Sequence, residues 1–136
     1  MNPPIQAAGL WIALNVILLL VLSAITSMHR RRHRVSIGDG GNASMATASR
    51  AFGNAAEYMP IGLIALFAVA ASSCPVWSIH LLGGAFFLGR VLHAWGMLTT
   101  REGGKPTPGR MFGMLLTYVP LLASAVMLVV CWVGGL

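Results

Sequence analysis

The sequence predicts an all-α integral membrane protein, a single bundle of four transmembrane helices, on three observations. Hydrophobic residues make up 57% of the 136-residue chain and charged residues only 9%, too apolar a balance for a water-soluble domain of this size. Four apolar stretches, roughly residues 5–27, 46–73, 77–99 and 110–133, are each long enough to cross a hydrocarbon core of about 30 Å, which takes ~20 helical residues. The segments between them are short and hold most of the basic residues and turn formers, so any site must be built from helix faces and short loops.

The first span, Ile5 to Ser27, is apolar all round except at Asn15, which is expected to hydrogen-bond a neighbouring helix, a contact worth about 0.6 kcal/mol. Met1-Asn2-Pro3-Pro4 lacks a basic n-region, so the span is expected to stay as a membrane anchor. A loop is expected from His29 to Ser44, with Arg30, Arg31, Arg32 and Arg34 followed by Gly38-Asp39-Gly40-Gly41-Asn42. Those arginines suit anionic lipid headgroups. The glycines, with no strand before them, are weak grounds for a phosphate loop.

The second span carries the chain's main anomaly. Arg50, Asn54 and Glu57 stand at i, i+4 and i+7, one stripe of a helix. Charged side chains in a membrane segment cost about 2.5–3.5 kcal/mol each, so they call for a partner, a cavity or a task. Tyr58 is either an interfacial anchor or a ring lining the same pocket. Pro60 follows three residues after Glu57, and a kink or local opening is expected there.

Ser72 to Pro75 turn the chain into the third span, which ends with Arg90, His93 and Met97 on one face. His93 reads equally as a structural histidine and as a member of the polar layer, while His80, at the other end, reads as interfacial. Two prolines close the span within the loop Thr100 to Gly109. Arg110 opens the fourth, followed by Met114, Thr117, Tyr118 and a further proline, Pro120. A cation in the first turn opposes the helix dipole. An anion nearby would explain it, as would snorkelling to headgroups.

The net charge of +6 reads as topology. The first and third loops are basic and the second has no Lys or Arg, so the positive-inside rule places loops one and three in the cytoplasm and both termini on the far side. Nucleic acid is not expected, because the basic residues hug membrane ends without an aromatic platform. Cys74 and Cys131 should both lie near the non-cytoplasmic ends, where two ordinary buried thiols are the first expectation and a disulfide is geometrically conceivable. No His, Cys or carboxylate grouping has metal-site spacing. Arg50, Asn54, Glu57, Arg90, His93 and Arg110 come out at one depth near the cytoplasmic face, with cations in excess. That layer suits an anionic, hydrogen-bonding ligand beside a lipid-facing cleft.

The run Arg50-Ala-x-x-Asn54-x-x-Glu57-Tyr58-x-Pro60 resembles the second-helix signature of the MAPEG superfamily, the membrane-associated proteins in eicosanoid and glutathione metabolism. It is most similar to the leukotriene C synthase and bacterial branches, and the resemblance extends over the whole chain. It implies a homotrimer in a bacterial inner membrane, with sites between neighbouring subunits that bind glutathione as a co-substrate. Carried over by position, Arg50, Asn54, Glu57 and Tyr58 would hold the glutathione carboxylates, amino group and backbone, with Arg90 and His93 in the same layer. Arg34 would stand at the pocket mouth, and Arg110 would be the catalytic residue beside the thiol. His93 and Met97 stand where the leukotriene branch has tyrosines, and Phe52 replaces a polar residue. The implied activity is a membrane glutathione transferase or peroxidase that conjugates or reduces hydrophobic electrophiles in detoxification. The runner-up is a member that binds glutathione or a lipid without efficient catalysis. A small four-helix multidrug exporter is the alternative from another class, disfavoured because arginines outnumber Glu57 and would repel cationic drugs.

Overall fold

The computed structural model describes residues 2–72, 74–100 and 105–134. Four helices account for the regular structure of those residues: α1 (Pro3–His33), α2 (Ala43–Ala71), α3 (Val76–Leu98) and α4 (Pro108–Gly134). Each is long and apolar enough to cross a membrane, as the composition requires. α2 and α3 form the centre of the bundle, α1 packs on both, and α3 and α4 make the most extensive pairing.

Two apolar clusters hold the helices together. One, at the end of the bundle carrying the α2–α3 turn, gathers Ala7, Ala8, Leu66, Val69, Ile79 and Leu82. The other joins Leu22, Ala55, Met59, Phe86 and Ala94 further along. Apolar side chains gain little by leaving lipid for protein, so close packing must supply the association, and small residues permit it. Glycines do this along the α3–α4 seam. A Cβ on Gly96 would run into the Arg110 backbone, one on Gly113 into the His93 backbone, and one on Gly89 into Leu116.

The helix ends differ from the expectation most at α1, which continues through the basic cluster to His33. Its 31 residues reach about 46 Å at 1.5 Å each, well beyond a 30 Å core. The loop is therefore only the stretch from Arg34 to Asn42, and it is fastened at both sides. Arg34 adopts a left-handed φ of 55°, and Gly38, Gly40 and Gly41 have φ of 73°, 60° and 72°, where glycine avoids the Cβ clash. The Arg30 guanidinium donates to the Ser36 and Gly38 carbonyls, both at 3.2 Å. Arg30 thus pins its own loop. The His33 ring meets the side chains of Asn42 and Ser44 at 3.2 and 3.1 Å, and Asn42 caps α2 by accepting from the Met45 N–H at 3.1 Å.

Two smaller expectations are also corrected. Asn15 bonds within α1, donating to the Trp11 carbonyl at 2.8 Å, because its amide reaches its own preceding turn before any neighbouring helix. Pro60 and Pro120, where kinks are expected, lie inside α2 and α4. The cysteines are not both buried: Cys74 is half-buried in the α2–α3 turn, and Cys131, near the end of α4, is exposed.

The seam can be tested directly. Gly113→Val is expected to cost about 1–3 kcal/mol by overpacking and to lower the thermal midpoint in detergent by several degrees. Gly9→Val, where a side chain meets nothing within 4 Å, should leave the midpoint nearly unchanged. Equal midpoints for the two variants would remove the seam as a packing constraint.

Candidate functional site

The polar layer lies toward the end of the bundle that carries the first and third loops, and it resolves into two parts. The open part is a cleft of about 220 Å³ lined by Ala46, Thr47 and Arg50 of α2, Met97 of α3, Thr100 just beyond α3, and Arg110 of α4. Arg50 is exposed and Arg110 half-buried. Arg110 is held by the α3–α4 seam. The Thr107 hydroxyl donates to the Gly96 carbonyl at 3.0 Å, and the Thr107 carbonyl accepts from the Arg110 N–H at 3.0 Å. That anchors the start of α4 on the end of α3 and aims the arginine at α2. A second, larger opening of about 490 Å³ shares Thr47 and Thr100 with the cleft and extends to Ile25, His29 and Ser44.

The closed part is inside the protomer. Arg90 is 0% exposed. One of its terminal nitrogens donates to Asn54 Oδ1 at 2.6 Å and the other to Thr117 Oγ1 at 3.3 Å. Its guanidinium carbon lies 5.5 Å from the centre of the Tyr58 ring, within cation–π reach. The Tyr58 and Tyr118 hydroxyls share a hydrogen bond of 3.0 Å. Thr117 in turn donates to the Gly113 carbonyl at 2.8 Å. Among the described residues the Nε of Arg90 is buried without a partner, as is Nδ1 of His93, which is 2% exposed and packed against Gly113.

The residues singled out from the sequence are therefore distributed unevenly. Arg50 and Arg110 share the open cleft, while Asn54, Tyr58 and Arg90 form the closed network with His93 one turn from Arg90. Glu57 is exposed on α2 and Arg34 is exposed at the end of α1, away from the cleft lining. The Tyr58 ring faces the Arg90 guanidinium. Sequence reasoning did not find Thr47 and Thr100, which line the cleft between the arginines. The spacing of Thr47, three residues before Arg50, was the available signal for one of them.

Fold and site together define a polytopic membrane protein with a cationic, hydrogen-bonding layer near one end of a four-helix bundle. The sequence pattern described as "MAPEG family" matches residues 8–130. The chain is also 32% identical over 91 residues to "Inner membrane protein YecN" of Escherichia coli strain K12, covering 67% of this chain and 70% of that protein. The same figures hold for the protein of that name in Escherichia coli O6:H1 strain CFT073. The chain belongs to the MAPEG family.

A double-mutant cycle tests the closed network. Arg90→Met and Asn54→Leu are expected to be non-additive, with a coupling of about 1–3 kcal/mol in unfolding free energy, because either change alone leaves a buried polar group without its partner. Additive losses would mean that the 2.6 Å contact contributes nothing to stability.

Proposed function

We propose that this protein is a glutathione-dependent transferase or peroxidase of a bacterial inner membrane that joins the tripeptide's thiol to hydrophobic electrophiles. The observation that carries the reading is the meeting of Arg50 and Arg110, from two different spans, in one cleft. Guanidinium groups bind carboxylates with charge-assisted, two-pronged hydrogen bonds and stay charged at any physiological pH. Glutathione offers two carboxylates and a thiol. Arg50, near the open side, suits a carboxylate, and Arg110, held at the head of α4, suits the sulfur. Membership of the MAPEG family and the likeness to an inner membrane protein support the setting.

The cleft of about 220 Å³ is smaller than the ~300–1,000 Å³ usual for small-molecule sites. A neighbouring subunit would supply the missing wall, which agrees with a homotrimer that has its sites between protomers. The exposed Glu57 and Arg34 would then be available to a ligand or to that neighbour. On this reading Arg90 acts from within the protomer, with Asn54 and Tyr58 as its reach toward the ligand, and His93 lies behind Arg110.

The chemical demand on Arg110 can be sized. A thiol of pKa near 8.5 is ~3% thiolate at pH 7, and lowering that pKa by two units gives ~75%, so thiolate activation supplies about 25-fold at most. The remainder comes from holding the thiolate against a reactant concentrated in lipid. Met97 in the cleft wall favours a second reading, ligand binding without efficient turnover, because a thioether offers a thiolate no hydrogen-bond donor.

Purified protein supplied with glutathione and 1-chloro-2,4-dinitrobenzene is expected to form the conjugate, and glutathione alone should raise the thermal midpoint. Stabilisation without conjugate or peroxide reduction selects the second reading, and the absence of both rejects glutathione. Arg110→Ala should lower kcat by up to about 25-fold with little change in apparent affinity. Arg50→Ala should raise the apparent Kd about 10-fold or more with kcat largely kept, as expected for the loss of a charge-assisted contact.

A further inference from the structure

We propose that Cys74 and Cys131 are a redox pair, closing into an intrachain disulfide that ties the α2–α3 turn to the far end of α4. They are the chain's only two cysteines, they come from different elements, and the fold brings them to the same end of the bundle. Cys74 packs on the apolar cluster that Met127 and Leu128 also flank. Cys131 stands four and three residues beyond those two and so continues the same face of α4. A charge on Cys131 is felt at the Cys74 thiol, so the two are near neighbours at that end, yet both are free thiols. A packing role within the protomer accounts for the half-buried Cys74 but not for the exposed Cys131.

The charge pattern gives this pair a compartment. Arg30, Arg31, Arg32 and Arg34 lie on the first loop and its flanking turn, at the other end of the bundle, so the positive-inside rule directs the cysteine end away from the cytoplasm. Disulfides form and persist on that side of a bacterial inner membrane.

The exchange chemistry assigns the order of events. Burial, then the charge of a Cys131 thiolate and the hydrogen bond with it, push the Cys74 thiol above its usual range, so Cys74 remains protonated while Cys131 is accessible. The Cys131 thiolate attacks one sulfur of an external disulfide and expels the other as a thiolate. Cys74 then gives up its proton and attacks Cys131 in the mixed disulfide, releasing the second thiol. Two cysteine thiols are oxidised, one external disulfide is reduced to two thiols, and the electrons balance. Closure joins the chain just before α3 to the last turns of α4, enclosing α3 and most of α4 in one loop, and so constrains the unfolded chain, which stabilises the folded state.

The test uses the full chain in its membrane and is independent of any glutathione activity. Membranes are quenched in acid, denatured and treated with a bulky maleimide polymer. The unreduced wild type is expected to take no label, and two after reduction, whereas Cys74→Ser and Cys131→Ser each take one without reduction. Reduced, detergent-purified wild type exposed to hydroxyethyl disulfide should lose two hydrogens in mass without keeping an adduct. Its thermal midpoint should rise by about 5 °C or more, a gain that Cys74→Ser abolishes. Two labels on the unreduced wild type, a lasting adduct on Cys131, or a covalent dimer on a non-reducing gel would each overturn the proposal.

Discussion

The structure depends on the direct contact of two helix backbones. Along the α3–α4 seam, Gly89 and Gly96 on one side and Gly113 on the other remove the side chains that would otherwise hold the helices apart, and in lipid such close approach is a principal source of helix association. The placement of the polar groups follows from it. With Gly113 against the His93 backbone, Thr117, four residues further on, comes level with Arg90 and meets its guanidinium. With Gly96 against the Arg110 backbone, the Thr107 hydroxyl reaches the Gly96 carbonyl and fixes the first turn of α4. One steric condition thus places both the buried arginine and the open one.

Arg90 is the energetic complement of that seam. A fully buried guanidinium carries a large desolvation cost, and it is tolerated when several acceptors or a counter-charge replace water. Here its partners are the Asn54 amide oxygen, the Thr117 hydroxyl and the face of Tyr58, and none is a carboxylate. Because a guanidinium only donates, it must take the oxygen of Asn54, so the amide's two N–H donors point elsewhere. The layer therefore offers donors to whatever approaches it, from α2 through Asn54 and from the cleft through Arg50 and Arg110. An acceptor-rich anion is the chemical complement of such a surface.

Much of the fold was legible in the sequence, because span length and composition suffice to count helices in a membrane. Their ends were less so. Lipid thickness limits the apolar stretch, whereas the helix itself runs on until a left-handed residue stops it, which at the end of α1 is Arg34. The seam was not legible at all: with 16 glycines in the chain, spacing alone does not tell which of them face another backbone. In the site, depth along the helices correctly joined Arg50 to Arg110, since both lie near the same end. Direction was the missing quantity. Three residues on one stripe share a face of α2, yet Asn54 turns to a buried arginine while Arg50 and Glu57 stay exposed, because the neighbours differ along the stripe.

The start of α4 brings two solvents into contact. Arg110 lines the polar cleft, and the next two residues, Met111 and Phe112, are 65% and 62% exposed. From there Leu115, Val119 and Leu122 continue an exposed apolar surface down the helix. One helical turn of about 5.4 Å therefore separates a group that attracts anions from a surface that lipid or an apolar molecule would cover. On the proposed function, a reactant dissolved in the bilayer would travel along α4 and arrive beside Arg110 without leaving its medium, while a water-soluble partner would come through the opening lined by Thr47 and Thr100. Chemistry between two such reactants would then require neither to be transferred into the other's solvent, a transfer that is costly for an apolar molecule and a charged one alike.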